Sequence, residues 1–284
     1  MSVSSRSDRI NASAMARITV ITLFLLFMIV PILATALFSI SIRWDRSIWP
    51  EGFTLAWWSK VISKTAFRTS LFNSLYISGA SVLASLALVV PTAYWVHAKL
   101  SRAKALMEIL TIIPFGFPAA VLALGLIRLY GAAPLSLASS PALLVAAYVV
   151  ITLPFMYRPA MNALESIDTR TLCEAANSLG AGQTRTFLFV ILPNIRSGVV
   201  NGSLLVFSAA FVEFALASLL IGTRFKTFPI YLVEFTRFDA RQASALALIS
   251  FACAWLISLG ILSTSGHRSE RPRLTTSNAK GPIV

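Results

Sequence analysis

The chain has 284 residues, a net charge of +13 and 57% hydrophobic residues, with a mean hydropathy of +0.78. That is too apolar for a soluble domain of this size. The basic residues lie scattered between apolar runs instead of on one face, which excludes nucleic acid and fits membrane lipids with anionic headgroups. Cys173 and Cys253 form neither a disulfide framework nor metal-ligand spacing.

In chain order, residues 1–17 are polar, carry Arg6, Arg9 and Arg17, and read as a disordered cytoplasmic tail. Residues 18–42 form an uncharged run able to cross a bilayer core of roughly 30 Å as a helix. Ala34-Thr35-Ala36 resembles a signal-peptide cleavage site, but the apolar run continues past it, so it is kept as an uncleaved first span. Residues 43–68 hold Trp44, Trp49, Trp57 and Trp58, residues that favour the headgroup level, and Leu55 to Ile62 is expected as a short interfacial helix.

A second span is expected over 71–98, with Pro91 inside, followed by a basic turn of Lys99, Arg102 and Lys104. A third, over 106–130, contains Pro114-Phe115-Gly116-Phe117-Pro118. Pro114, Gly116 and Pro118 remove helix hydrogen bonds at mid-membrane, as either a transport-pathway break or a packing kink. The fourth span, 141–163, holds Pro154, Arg158 and Pro159; the fifth, 197–221, carries Glu213; the sixth is 243–262. A polar tail from about residue 265 to 284 follows. The fold class expected is an all-α polytopic membrane protein of about six helices. Its transmembrane domain covers residues 18–264, with a cytoplasmic loop over about 164–196.

That loop reads as a folded element. Thr171 and Glu174 have capping-box spacing, with Asp168 as an alternative cap one turn earlier. Leu172, Ala175, Ala176 and Leu179 form a stripe on one helix face. Gly180 stands where the helix ends in a left-handed turn, and Ala181-Gly182 follow it. A second short helix is expected from Gln183 towards Ile191, stopped by Pro193. Glu213, a carboxylate at mid-membrane, must face the bundle interior, a partner charge or a wet cavity. Two readings are open for it, a pathway group and a satisfied interhelical hydrogen bond.

Glu174-Ala175-Ala176, then Gly180, then Val190-x-Leu192-Pro193 resembles the EAA loop of ABC importer permease subunits, Val190 replacing the usual Ile. Gly52-Phe53-Thr54 matches a further stretch of that family, and Phe211 to Ala215 is similar to the fifth span of polyamine-type and ferric-iron-type permeases. Those relatives often carry an acidic pair where this chain has Val212 before Glu213. The branch it most resembles is the spermidine/putrescine permeases, with aminoethylphosphonate and ferric-iron relatives near.

The resemblance implies a location in the bacterial inner membrane with both termini cytoplasmic. It also implies a coupling helix that docks on an ATPase, with Glu174, Ala175, Ala176, Gly180, Ala181, Leu192 and Pro193 carrying it. The implied partners are two ABC ATPase subunits, a second permease subunit (paralogue or self) and a soluble or lipid-anchored substrate-binding protein. The positive-inside rule agrees in direction, since the inner segments of this topology carry more Lys and Arg than the outer ones. There is no H-E-x-x-H and no G-x-x-x-x-G-K-[ST] motif, and His97 and His267 lie far from any paired acid. No catalytic site, metal or cofactor is expected.

Overall fold

A computed structural model describes residues 4–45, 47–132 and 137–265. No strand occurs among the described residues apart from one isolated bridge, Ser41 to Phe53. Helix α1 spans Ser4–Ile40. The expected disordered tail is therefore helical from Ser4. A helix already nucleated by the apolar run gains one backbone hydrogen bond per added residue, and Ser, Ala and Arg here offer no Pro or Gly to stop it. The expected tail beyond residue 265 lies outside the described residues.

Within α1, Met15–Ile40 has a mean hydropathy of 2.7 and none of its most apolar stretch is buried in this chain. A helix apolar all round with no protein cover is suited to lipid or to a neighbouring subunit. Helix α2, Ala56–Ile62, is a short helix where one was expected. It is pinned by the Trp57 indole N–H donating to the Ser41 carbonyl at 2.9 Å and by the Arg241 guanidinium 4.9 Å from the Trp57 ring.

Helix α3 runs Thr65–Lys99 through Pro91. Then come α4, Lys104–Ile112, a 3-10 turn over Ile113–Gly116, and α5, Ala119–Tyr130. Helix α6, Pro141–Ile151, starts with Ser140 accepting from the Leu143 N–H and with Pro at its first position. It bends by 49° into α7, Leu153–Glu165. The expected coupling loop comprises α8, Thr169–Ser178, α9, Gln183–Thr186, a π-helical stretch over Phe187–Ile191, and α10, Leu192–Asn194. After a 79° bend come α11, Arg196–Val212, and α12, Ala215–Leu220. Helices α13, Phe228–Thr236, and α14, Ala240–Ser265, complete the described chain.

Among the described residues, three helices are long and apolar enough to cross a membrane: Met15–Ile40, Thr65–Lys99 and Ala240–Ser263. The number rises to five if each bent pair is one span. The remaining expected span is divided by the 3-10 turn into halves of 9 and 12 residues, each too short to cross alone.

The tightest packing lies where α11 crosses α7 and α3. A Cβ on Gly198 would stand 2.3 Å from the Pro159 carbonyl oxygen and 2.5 Å from the Ala163 Cβ, and one on Gly202 would meet the Met156 sulfur at 2.8 Å. Small residues let the backbones approach, as membrane helices require when no hydrophobic force drives them together. Buried Tyr94, Met156, Tyr157, Leu164, Ile191 and Ile195 form one apolar cluster, packed also on Leu172 and Cys173 of α8. The coupling segment is thus continuous with the core of the spans.

Candidate functional site: the coupling loop and the break in the fifth span

Helix α8 begins at Asp168, not Thr171. One Asp168 carboxylate oxygen accepts from the Thr171 N–H at 3.1 Å and the other from the Thr171 hydroxyl at 2.6 Å. The Thr171 hydroxyl, then its amide, holds the Asp168 carboxyl below the usual carboxylate range. The expected capping box is not formed. With the cap one turn earlier, Glu174 is free to pair with Arg170 at 2.8 Å, a helical i,i+4 contact that raises the guanidinium further above its ordinary value.

The expected stripe divides. Thr169 and Ala176 are buried, Leu172 and Cys173 are half-buried, and Ala175 is exposed. Leu179 is 88% exposed, because it is the residue on which the helix ends and overhangs the last turn. Glu174, Ala175, Ser178 and Leu179 therefore form an outward face.

The corner follows the expected chemistry. Gly180 has φ +77°. Its N–H donates to the Asn177 carbonyl at 2.9 Å and the Ala181 N–H reaches back to the Ala176 carbonyl at 3.0 Å, the paired bonds of a Schellman end. A Cβ at Gly180 would meet nothing within 4 Å, so the backbone angle alone demands glycine there. Beyond it, Pro193 does not stop the second helix. The π-helical stretch over Phe187–Ile191 shifts the hydrogen-bond register just before the proline, so the chain stays helical to Asn194. The Asn194 amide donates to the Val190 carbonyl at 2.7 Å. Leu192 packs on the core cluster while Pro193 is exposed.

Glu213 lies not in mid-helix but at a break. Its backbone is extended (φ −70°, ψ 122°) between α11 and α12. Its two carboxylate oxygens accept from the Leu216 N–H at 2.9 Å and the Ala217 N–H at 3.1 Å, and the Tyr148 hydroxyl donates to one of them at 3.1 Å. That geometry is the second reading made concrete, a carboxylate that satisfies otherwise orphaned helix donors. Tyr148, buried on α6, was not legible from spacing.

The other predicted break forms as expected. Pro118 holds φ −56° before α5 and forces Phe117 into an extended conformation, and Gly116 closes the 3-10 turn. This turn packs on α6, the helix that carries Tyr148. The two breaks thus share one neighbour, while the coupling loop stands apart from both. Among the described residues no group of three or more His, Cys, Asp or Glu is placed to hold a metal.

Residues 89–268 match the family described as binding-protein-dependent transport system inner membrane component. The chain is 29% identical to the spermidine/putrescine transport system permease protein PotB of Escherichia coli, over 73% of this chain and 80% of that one. It is 30% identical to a probable molybdenum ABC transporter permease of Haloferax volcanii, over 72% and 78%. The fold matches a bacterial ABC transporter involved in alginate import with a TM-score of 0.70 at 18% identity, covering 93% of this chain and 98% of that one. A second structure of an alginate transporter, with an alginate-bound periplasmic protein, matches with a TM-score of 0.69 at 16% identity. On the match over residues 89–268, which takes in both breaks and the coupling loop, this protein belongs to the binding-protein-dependent inner membrane components, the permease subunits of ABC importers.

Proposed function

We propose that this chain forms one half of the translocation pathway of an ATP-driven importer and that α8 is the element on which an ATPase subunit docks. The observation that carries this reading is the outward face of Glu174, Ala175, Ser178 and Leu179, set on a helix whose opposite side is built into the core of the spans. A push on that face is transmitted to α7 and α11 through Leu172, Ile191 and Ile195, because a close-packed interior moves as a body. Gly180 fixes the corner and Glu174, with Arg170, presents the charged edge. In this reading the coupling loop and both termini are cytoplasmic. The complex contains two ATPase subunits, a second permease subunit and a soluble binding protein.

The cargo we propose is a small charged solute of the polyamine, phosphonate or ferric-iron kind. The relatives divide on its charge, being named for spermidine and putrescine on one side and molybdenum on the other. A self-sufficient secondary carrier is not favoured, since Glu213, the carboxylate such a carrier would use, is held by two backbone N–H groups and Tyr148. Purification of the tagged chain in gentle detergent, with mass spectrometry of its companions, tests the proposal. A P-loop ATPase and a second permease are expected. A chain that purifies alone and moves solute alone would overturn it.

A further inference from the structure

Between the inner end of α3 and the coupling helix α8 lies a cavity of about 380 Å³, within the size range of sites that hold small molecules. His97 and Lys99 reach it from α3, Arg170 and Asn177 from α8, and Gln183 from α9. Its charge balance is cationic. The one carboxylate in the lining, Glu174, is already neutralised by Arg170 at 2.8 Å, which leaves Lys99 uncompensated. Its donors are also free. Among the described residues, the side chains of His97, Lys99, Asn177 and Gln183 make no hydrogen bond. The imidazole offers at least one N–H in either protonation state, the two amides offer an N–H₂ each, and the ammonium offers three donors. Three unspent neutral donor side chains and one uncompensated ammonium facing a single half-open cavity match an anion with several acceptor oxygens.

We propose that this cavity is an anion site that takes a phosphate group, held by Lys99 and His97 from the span and by Asn177 and Gln183 from the coupling segment. Two sources carry that chemistry. The Lys99 ammonium sits 4.5 Å from the ring of Trp95, a half-exposed tryptophan at the end of the span, so the site lies at headgroup depth and an anionic lipid can present the phosphate. A soluble phosphate or phosphorylated small molecule can enter from the same side. Either ligand bridges α3 to α8 and so stiffens the joint through which the coupling helix moves against the spans. That consequence rests on the coupling reading; the binding itself does not.

Cys173, half-buried in the lining, serves as a reporter. The full chain carrying Cys253→Ser is placed in nanodiscs of phosphatidylcholine, and alkylation of Cys173 by N-ethylmaleimide is timed with and without inorganic phosphate. A second set of discs contains phosphatidylglycerol. An occupied cavity slows alkylation by about fivefold once the probe exceeds its Kd about fourfold, by mass action. Protection by phosphate in phosphatidylcholine identifies the soluble source, and protection that needs phosphatidylglycerol identifies the lipid. The double change His97→Gln with Lys99→Gln should abolish protection, each protein being read against its own unprotected rate, and Lys99→Arg should keep it. Protection by neither probe, or protection that survives the double change, would overturn the proposal. Transport and ATPase docking are not read in this experiment, so its failure leaves the coupling reading standing.

Discussion

The helix interruptions at Gly180 and at Glu213 solve the same problem by opposite means. At Gly180 the orphaned carbonyls are met by backbone N–H groups of the next two residues, and the cost is a left-handed φ that glycine adopts freely. At Glu213 the orphaned N–H groups are met by a side chain, which is itself steadied by Tyr148, 65 positions earlier in sequence. The exposed corner carries its whole solution in adjacent residues. The break at Glu213 draws on a partner from another helix. A corner built from backbone alone suits a loop that must keep its shape while being pushed. A break built on a tertiary contact is tied to the arrangement of α6 against α12.

Helix α11 lies between these two corners and ends at the second, and the largest effect is expected on it. Gly198→Val would drive a side chain into the Pro159 carbonyl and Ala163, neither of which is a flexible side-chain end. Loss of the assembled complex in size-exclusion chromatography is expected; normal assembly would show that the crossing is looser than described.

Next, Glu213→Ala strands two helix N–H groups and leaves the Tyr148 hydroxyl only the Glu213 backbone carbonyl at 3.3 Å. Each buried orphan costs about 1–3 kcal/mol, so the thermal midpoint of the purified protein should fall clearly. Glu213→Gln keeps acceptor capacity and should fall less, and Tyr148→Phe, which removes one donor and leaves the N–H bonds intact, least of the three. Equal midpoints across this series would reduce Glu213 to a bystander. Slow uptake by a Glu213→Gln protein of undiminished thermal stability would restore it to the pathway.

Smaller in stability but larger in function, Gly180→Val imposes a left-handed backbone on a β-branched residue, at a cost of roughly 1–2 kcal/mol. The complex is expected to assemble and to hydrolyse ATP with little uptake. Normal uptake would remove the coupling role of the corner. The smallest effect is expected at the start of α8. Asp168→Ala should speed amide hydrogen exchange across Thr171 to Asn177 while Asp168→Asn, which still caps, should not. Because hydrogen bonds from Thr171 depress the Asp168 carboxyl, its contribution to the helix is present above the ordinary aspartate range and is lost as pH falls through the lowered value. The protection of these amides, taken against the intrinsic exchange rate at each pH, should fall only on strong acidification.

How far the sequence could be read follows the same division. The turn at Gly180, the break between Pro114 and Pro118, the short helix α2 and the membrane character of the chain were all legible, because each is written in neighbouring residues. Of the two caps open at the start of α8, the alternative Asp168 forms and the Thr171/Glu174 box does not, because the two Asp168 oxygens take both the amide and the hydroxyl of Thr171. Pro193 was expected to end a helix, but a π-helical register shift absorbs it. The break at Glu213 was hidden because its partner Tyr148 lies on α6, and no local spacing announces a tertiary hydrogen bond.

In the function proposed, motion at α8 drives transport through this chain. ATP-dependent uptake by proteoliposomes holding the co-purified complex and its binding protein tests it most directly, with the wild-type and Gly180→Val chains compared side by side. Uptake that requires ATP, and that collapses in the variant while ATP hydrolysis persists, is the expected result. Uptake that proceeds equally well without ATP, or without the ATPase subunits, would contradict the account.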